Sequence, residues 1–163
     1  MTLISDRLSR FKPSLTVKIS QIAREMTISG EKVISLSSGE PDFDTPKHIK
    51  DQAIKAINDG FTKYTQVDGI PELKKSIITK FECENDLKYD LDQITVGVGG
   101  KHVIYNLFMS TLNKNDEVII PSPYWVSYPD MVYLAGGKPI ILETEMKDNF
   151  KITPKQLEAN ISE

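Results

Sequence analysis

The stretch ITVGVGGKHVIYNLF, residues 94–108, decides the fold. Its first half alternates β-branched and small residues, as a strand does, and its second half spaces apolar residues as a helix does. Gly99 and Gly100 join the two halves without a spacer, and Lys101 is the first residue of the expected helix. In an α/β protein, such a turn offers free N–H groups and the positive end of a helix dipole to an anion.

Lys101 strengthens this interpretation. A cation in the first turn of a helix opposes the helix dipole by roughly 0.3–1 kcal/mol, and helix starts favour acids. Here the first turn has Lys101 and His102 and no acid, which a bound anion would explain. A tight turn whose lysine points to solvent stays open as the alternative. The glycines match neither GxGxxG nor GxxxxGK[ST], which weakens dinucleotide and P-loop interpretations.

The rest of the chain alternates predicted helices and strands. Strands are expected at VISLS (33–37), QITVGVGG (93–100), DEVIIP (116–121) and KPIILET (138–144). Helices are expected over residues 17–29, 46–59 with Thr45 as N-cap, 71–85, 101–112 and 126–134. This order predicts an α/β fold with crossover units and a mostly parallel sheet. A last helix begins at Thr153-Pro154 with no strand after it, so the chain is expected to be cut.

Composition excludes several classes of protein. The chain has 163 residues, 20 Lys and Arg against 23 Asp and Glu, and a net charge of −3, with the signs mixed along the sequence. Nucleic acid is therefore not an expected partner. No secretory signal and no run of about 18 apolar residues is present, so no membrane role is expected. Cys83 is the only cysteine, which favours a reducing, cytoplasmic compartment.

Four segments carry a resemblance to a known family. They are SSGEPDFDTP (37–46), GFTKYT (60–65), VGGK (98–101) and SPYWVSYPDM (122–131). In this order they closely resemble fold-type I, class-I pyridoxal-phosphate aminotransferases of the bacterial aspartate aminotransferase subgroup. The resemblance extends from about Lys12 to Glu163. It implies an amino-terminal arm and small-domain segment over residues 1–45, and an incomplete large, cofactor-binding domain over residues 46–163.

The resemblance also implies a cofactor site. Gly99, Gly100 and Lys101 match the turn that holds the 5′-phosphate of pyridoxal phosphate. Trp125 looks like the aromatic plate that stacks on the pyridine ring and borders the substrate, and stacking suits a flat ring. Tyr64 is similar to the tyrosine that reaches the cofactor phosphate of the neighbouring subunit, so a homodimer is implied. Pro123 falls where the family often has a cis proline.

Substrate contacts follow in the same way. The substrates implied are small amino acids and 2-oxo acids, and the reaction is transfer of the amino group from aspartate to 2-oxoglutarate. Gly39 resembles the glycine whose backbone meets the substrate α-carboxylate, while Lys101 and Thr16 would meet the distal carboxylate. Prephenate is a further amino acceptor in this subgroup, and Lys12 and Lys32 are candidates for its extra carboxylate.

No catalytic residue is expected within the chain. By the family pattern, the Schiff-base lysine, the aspartate at the pyridinium nitrogen and the arginine for the α-carboxylate fall beyond Glu163, so residues 1–163 alone are expected to be inactive. No metal site is expected either, because Asp42 and Asp44 are a weak ligand set. Three alternatives stay open: another fold-type I pyridoxal-phosphate enzyme, a non-catalytic nucleotide- or phosphate-binding α/β module, and a dimerisation piece.

Overall fold

The structure is a computed structural model that describes residues 3–10 and 14–162. The chain forms two compact units. The first unit consists of Met1–Ile34 and Val98–Glu163, and the second unit is Ser35–Gly97. None of the described helices combines the length and the apolar character that a membrane span requires.

The second unit contains two helices, α2 (Lys47–Asn58) and α3 (Pro71–Asn85), and a 3-10 turn at Leu91–Gln93. Helix α3 begins at a proline, as predicted, and ends at Asp86, which has a left-handed conformation with φ 54°. Lys74 on α3 is buried and pairs with the half-exposed carboxylate of Asp68. This ion pair lowers the pKa of Asp68 below its ordinary value, chiefly through the hydrogen bond from Lys74.

The first unit contains a parallel β–α–β unit, which confirms the predicted class of fold. Its elements are a 3-10 turn at Asp6–Arg10, α1 (Leu15–Ile28), α4 (Gly100–Thr111), β1 (Glu117–Pro121), α5 (Ser127–Ala135), β2 (Lys138–Leu142), a 3-10 turn at Met146–Asp148 and α6 (Pro154–Glu158). Strands β1 and β2 are parallel, with Glu117 opposite Lys138 and Pro121 opposite Leu142. Helix α5 connects them and ends at Gly136 with φ 94°.

The core of this unit lies between α5 and the two strands. Met131 and Val132 of α5 are buried, and Val132 has no exposed surface. Helix α5 contacts both strands, and Ile120 of β1 and Leu142 of β2 are also buried. Burying each such side chain contributes roughly 1.5–3 kcal/mol, so these few residues hold the helix onto the strands.

Three local predictions are wrong. Residues 33–37 form no strand, and residues 93–100 lead into α4 without forming one, although Ile94 is extended and buried. Within the described part of the chain neither segment has a ladder partner, and a strand exists only through its partners. Helix α2 has Pro46, not Thr45, at its N-cap. The proline ring supplies no side-chain acceptor for the first amides of the helix.

Candidate functional site

The turn before α4 has a backbone conformation that only glycine adopts readily. Gly99 lies at φ 102° and ψ 162°, a region closed to residues with a Cβ, and Gly100 is the first residue of the helix. A Cβ placed on either glycine would meet no atom within 4 Å. The space in front of the turn is therefore open, and a ligand can approach the backbone closely.

The amides of this turn are free for a ligand. The first backbone hydrogen bond of α4 runs from Val103 N–H to the carbonyl of Gly99, at 3.2 Å. Among the described residues, no protein acceptor takes the N–H groups of Gly99, Gly100, Lys101 or His102. Together with the positive end of the helix dipole, these donors form an anion-binding position.

The structure brings Lys101 and Trp125 together beside this turn. The Nζ atom of Lys101 lies 4.7 Å from the centroid of the Trp125 ring. A cation–π contact at an exposed site contributes roughly 0.5–1 kcal/mol. The indole is 43% exposed, so part of the ring remains available to a second planar group. Tyr128 supports the indole edge-on, with ring centroids 5.5 Å apart.

The loop that presents Trp125 is fixed to the end of β2. The amide of Ser122 donates to the carbonyl of Leu142 at 2.8 Å, and the hydroxyl of Thr144 donates to the carbonyl of Ser122. The Ser122–Pro123 peptide bond is cis, as the resemblance implied. Two strand ends and one loop therefore define where the indole lies.

This loop also lines part of an apolar cavity of about 550 Å³. Trp125 and Tyr128 line it together with side chains of α4 and β1, such as Phe108 and Ile119. None of the residues that line this cavity belongs to the glycine turn, and the lining lacks a charged group. The unpaired amides and Lys101 therefore belong to the open turn and not to this cavity.

The other predicted site residues belong to other segments of the chain. Thr16 is half-buried in the first turn of α1, within the first unit. Gly39 and Tyr64 belong to the second unit, where Tyr64 is fully exposed. Lys32 is exposed, and Lys12 lies outside the described residues. The roles assigned to these five residues stay predictions.

Asp44, one of the two aspartates before α2, has local contacts of its own. The carboxylate of Asp44 pairs with Lys50 and accepts a hydrogen bond from Thr45 N–H at 2.8 Å. The hydrogen bond from Lys50 is the main cause of the lowered pKa of Asp44. Over residues 3–10 and 14–162, no group of three or more His, Cys, Asp or Glu side chains is arranged to bind a metal.

Sequence reasoning missed one residue of the turn. The sequence analysis names His102 only as part of the first helical turn and assigns it no role, but its Nδ1 atom accepts a hydrogen bond from Val98 N–H at 3.2 Å. Its Nε2 atom lies 3.0 Å from the side-chain amide of Asn106. The spacing of His102 three residues after Gly99, and four before Asn106, was the available signal, because side chains at these spacings meet on a helix.

The chain is therefore an α/β protein with unpaired amides at a glycine turn and a partly exposed indole beside it. The comparison with protein families is more specific. The model for aminotransferase class I and II matches residues 31–163, and the chain belongs to this family.

Individual relatives agree with this assignment. The chain is 58% identical over 162 residues to the aspartate/prephenate aminotransferase of Cereibacter sphaeroides, which covers 99% of this chain and 40% of that protein. The crystal structure of the aspartate aminotransferase from Rhizobium meliloti matches with a TM-score of 0.92 at 46% identity, over 99% of this chain and 40% of that one.

The aspartate aminotransferase from Thermus thermophilus with maleate matches with a TM-score of 0.95 at 42% identity, over 99% of this chain and 42% of that chain. This chain therefore spans about two-fifths of the length of these relatives.

Proposed function

We propose that the chain forms part of a pyridoxal-phosphate-dependent aspartate aminotransferase, which transfers the amino group of aspartate to 2-oxoglutarate and accepts prephenate as a further amino acceptor. The observation that supports this most is the position of Lys101 over the Trp125 ring beside the free amides of the glycine turn. Family membership and the names of the relatives support the same activity.

The residues present fit the cofactor at both of its ends. A phosphate monoester is an anion with several acceptor oxygens, and the turn offers unpaired N–H donors, open space at Gly99 and Gly100, and the Lys101 ammonium. The pyridine ring is flat, and the exposed part of the Trp125 ring offers a flat surface at the end of a loop fixed to β2. Gly99, Gly100 and Lys101 would hold the phosphate, and Trp125 would cover the ring.

When bound, pyridoxal phosphate supplies an electron sink for the carbanion formed at the substrate Cα. The described residues contribute binding and orientation. Lys101 neutralises anionic charge at the phosphate end, and with Thr16 it would attract the distal carboxylate of a dicarboxylic substrate. Gly39 would let the backbone meet the α-carboxylate. Lys101 is not assigned the proton transfer at Cα, because it lies at the phosphate end of the site.

The assembly is part of the proposal. A homodimer in the cytoplasm would place Tyr64, which is fully exposed on this chain, against the cofactor phosphate of the neighbouring subunit. The division into an arm and small-domain segment (1–45) and a large-domain segment (46–163) belongs to the same proposal.

The experiment uses a completed enzyme, defined here as residues 1–163 joined to the remaining three-fifths of the Cereibacter sphaeroides relative. With pyridoxal phosphate, it is expected to transaminate aspartate with 2-oxoglutarate, whereas residues 1–163 alone show no turnover above a cofactor-only blank. A completed enzyme that folds but transfers no amino group from aspartate would refute the proposal. Prephenate, offered as the acceptor in place of 2-oxoglutarate, tests the second acceptor.

A matched pair of variants tests Lys101 in the same assay. Lys101→Met is expected to lower kcat/KM for aspartate by roughly 10- to 100-fold, because a hydrogen bond to a charged group contributes about 1.5–3 kcal/mol. Lys151→Met removes an exposed lysine outside the site and is expected to leave kcat/KM unchanged. Equal effects of the two substitutions would show that Lys101 has no special role.

A further inference from the structure

His102 connects the residue before the glycine turn to the helix after it. It is the third residue of α4 and is exposed to solvent. The Val98 N–H donates to His102 Nδ1 at 3.2 Å, and the Asn106 side-chain amide lies 3.0 Å from Nε2. The imidazole therefore spans from the backbone before Gly99 to the next turn of the helix.

The hydrogen bond from Val98 determines which nitrogen of the neutral His102 ring carries the proton. An Nδ1 atom that accepts has no proton of its own, so the neutral ring has its proton on Nε2. That N–H is a donor, whereas the Asn106 atom 3.0 Å away is the amide nitrogen Nδ2, which is also a donor. A hydrogen bond between the two side chains therefore needs the Asn106 amide turned over, with Oδ1 toward Nε2, and Asn106 then favours the tautomer that accepts from Val98.

Val98 has little else to hold it in place. Its side chain is 91% exposed, so packing does not fix its position. Gly99, the next residue, has no Cβ and thus the widest conformational freedom of any residue. The bond to His102 is the only hydrogen bond of Val98 among the described residues. It therefore restricts the backbone just before Gly99, where side-chain packing does not.

We propose that His102 is a positioning residue of the phosphate-binding turn. It acts through Val98 on the amides of Gly99, Gly100 and Lys101, and it makes no contact of its own with the phosphate. This inference rests on the proposed function, because it assumes that the turn receives a phosphate. A side chain at this helix position that accepts from the preceding backbone also resembles one half of a capping box.

The test compares two substitutions in the completed enzyme, with two probes. His102→Leu removes the acceptor, whereas His102→Gln keeps a side-chain oxygen that can accept from the same amide. The dissociation constants of pyridoxal phosphate and of pyridoxal, which lacks the phosphate, are measured for each cofactor-free protein. Hydrogen-exchange mass spectrometry of the peptide that contains Val98 gives a readout that needs no cofactor.

The role of His102 predicts a selective effect. His102→Leu is expected to weaken pyridoxal phosphate binding by roughly 2- to 10-fold, the loss of one hydrogen bond, while pyridoxal binding stays unchanged. His102→Gln is expected to bind pyridoxal phosphate within about 2-fold of the unsubstituted enzyme. Exchange of the Val98 peptide is expected to accelerate in His102→Leu and not in His102→Gln.

Three results would overturn this role: unchanged pyridoxal phosphate binding in His102→Leu, an equal loss for both probes, which would indicate a merely structural effect, or no rescue by glutamine. Failure of the proposed function would look different. In that case the unsubstituted completed enzyme would bind pyridoxal phosphate no better than pyridoxal.

Discussion

At the scale of single residues, Gly99 and Gly100 are neighbours with different tasks. Gly99 has φ 102° and ψ 162°, whereas Gly100 is the first residue of α4 and has no positive φ. Gly99→Ala is expected to lower the free energy of unfolding by roughly 1–3 kcal/mol, because a Cβ is strained in that backbone region. The measurement is urea unfolding of residues 1–163, followed by the fluorescence of Trp125, the single tryptophan.

Gly100→Ala is the matched control for this prediction. No atom lies within 4 Å of a Cβ at this position, and alanine is favoured over glycine in a helix. The urea midpoint of Gly100→Ala is therefore expected to equal or exceed that of the unsubstituted chain. An equal decrease in the free energy of unfolding for Gly99→Ala and Gly100→Ala would contradict the prediction that a Cβ is strained at Gly99.

The sequence indicated most of the residues at this turn but not how they are held. Gly99 and Lys101 could be found because a glycine pair and a cation at a helix start are visible without coordinates, and Trp125 because its segment resembles one of the aminotransferase family. The role of His102 could not be found, because it depends on which ring nitrogen meets Val98. Spacing shows that two residues share a helix face and does not show their hydrogen bonds.

At the scale of elements, local signals predicted helices better than strands. Helices α3, α4 and α5 begin and end within about two residues of the expected positions, because prolines, glycines and apolar spacing act within one segment. Residues 33–37 and 93–100 have the composition of strands but form none. A strand is defined by hydrogen bonds to another segment, and composition does not reveal whether that segment is present.

The first residue of β1 provides a prediction about pH. Glu117 accepts hydrogen bonds from Lys138 of β2 at 2.6 Å and from the hydroxyl of Ser162 at 2.8 Å. The bond from Lys138 is the main cause that lowers the pKa of Glu117, and Ser162 adds to it. Because the pKa of Glu117 is lower in the folded state than in the unfolded state, its ionised carboxylate stabilises the fold at pH values above the unfolded-state pKa. This stabilisation is lost as the pH falls through the folded-state pKa.

When the pH falls from 7 to below the ordinary pKa of glutamate, about 4.3, the unsubstituted chain is therefore expected to lose more stability than the Glu117→Gln variant. The measurement is the urea midpoint of both proteins across this pH range. Glu158→Gln is the control, because Glu158 is exposed and has no ion pair within the described part of the chain. Parallel pH profiles for all three proteins would contradict the assigned role of Glu117.

At the scale of the whole molecule, the proposed function assigns binding to the described residues and the bond-breaking chemistry to other groups. In this proposal the glycine turn and Lys101 form one end of a site, and Trp125 forms its platform. The chain spans 40% of the Cereibacter sphaeroides relative, and the proposed activity is tested in a protein of that full length. The central claim is narrower, namely that the turn before α4 holds the cofactor phosphate.

A crystal structure of the completed enzyme with pyridoxal phosphate tests that claim most directly. Phosphate oxygens are expected about 2.7–3.2 Å from the amide nitrogens of the turn at Gly99 and Gly100, with the Trp125 ring stacked against the pyridine ring. A phosphate bound away from this turn, or an indole that does not contact the pyridine ring, would contradict it.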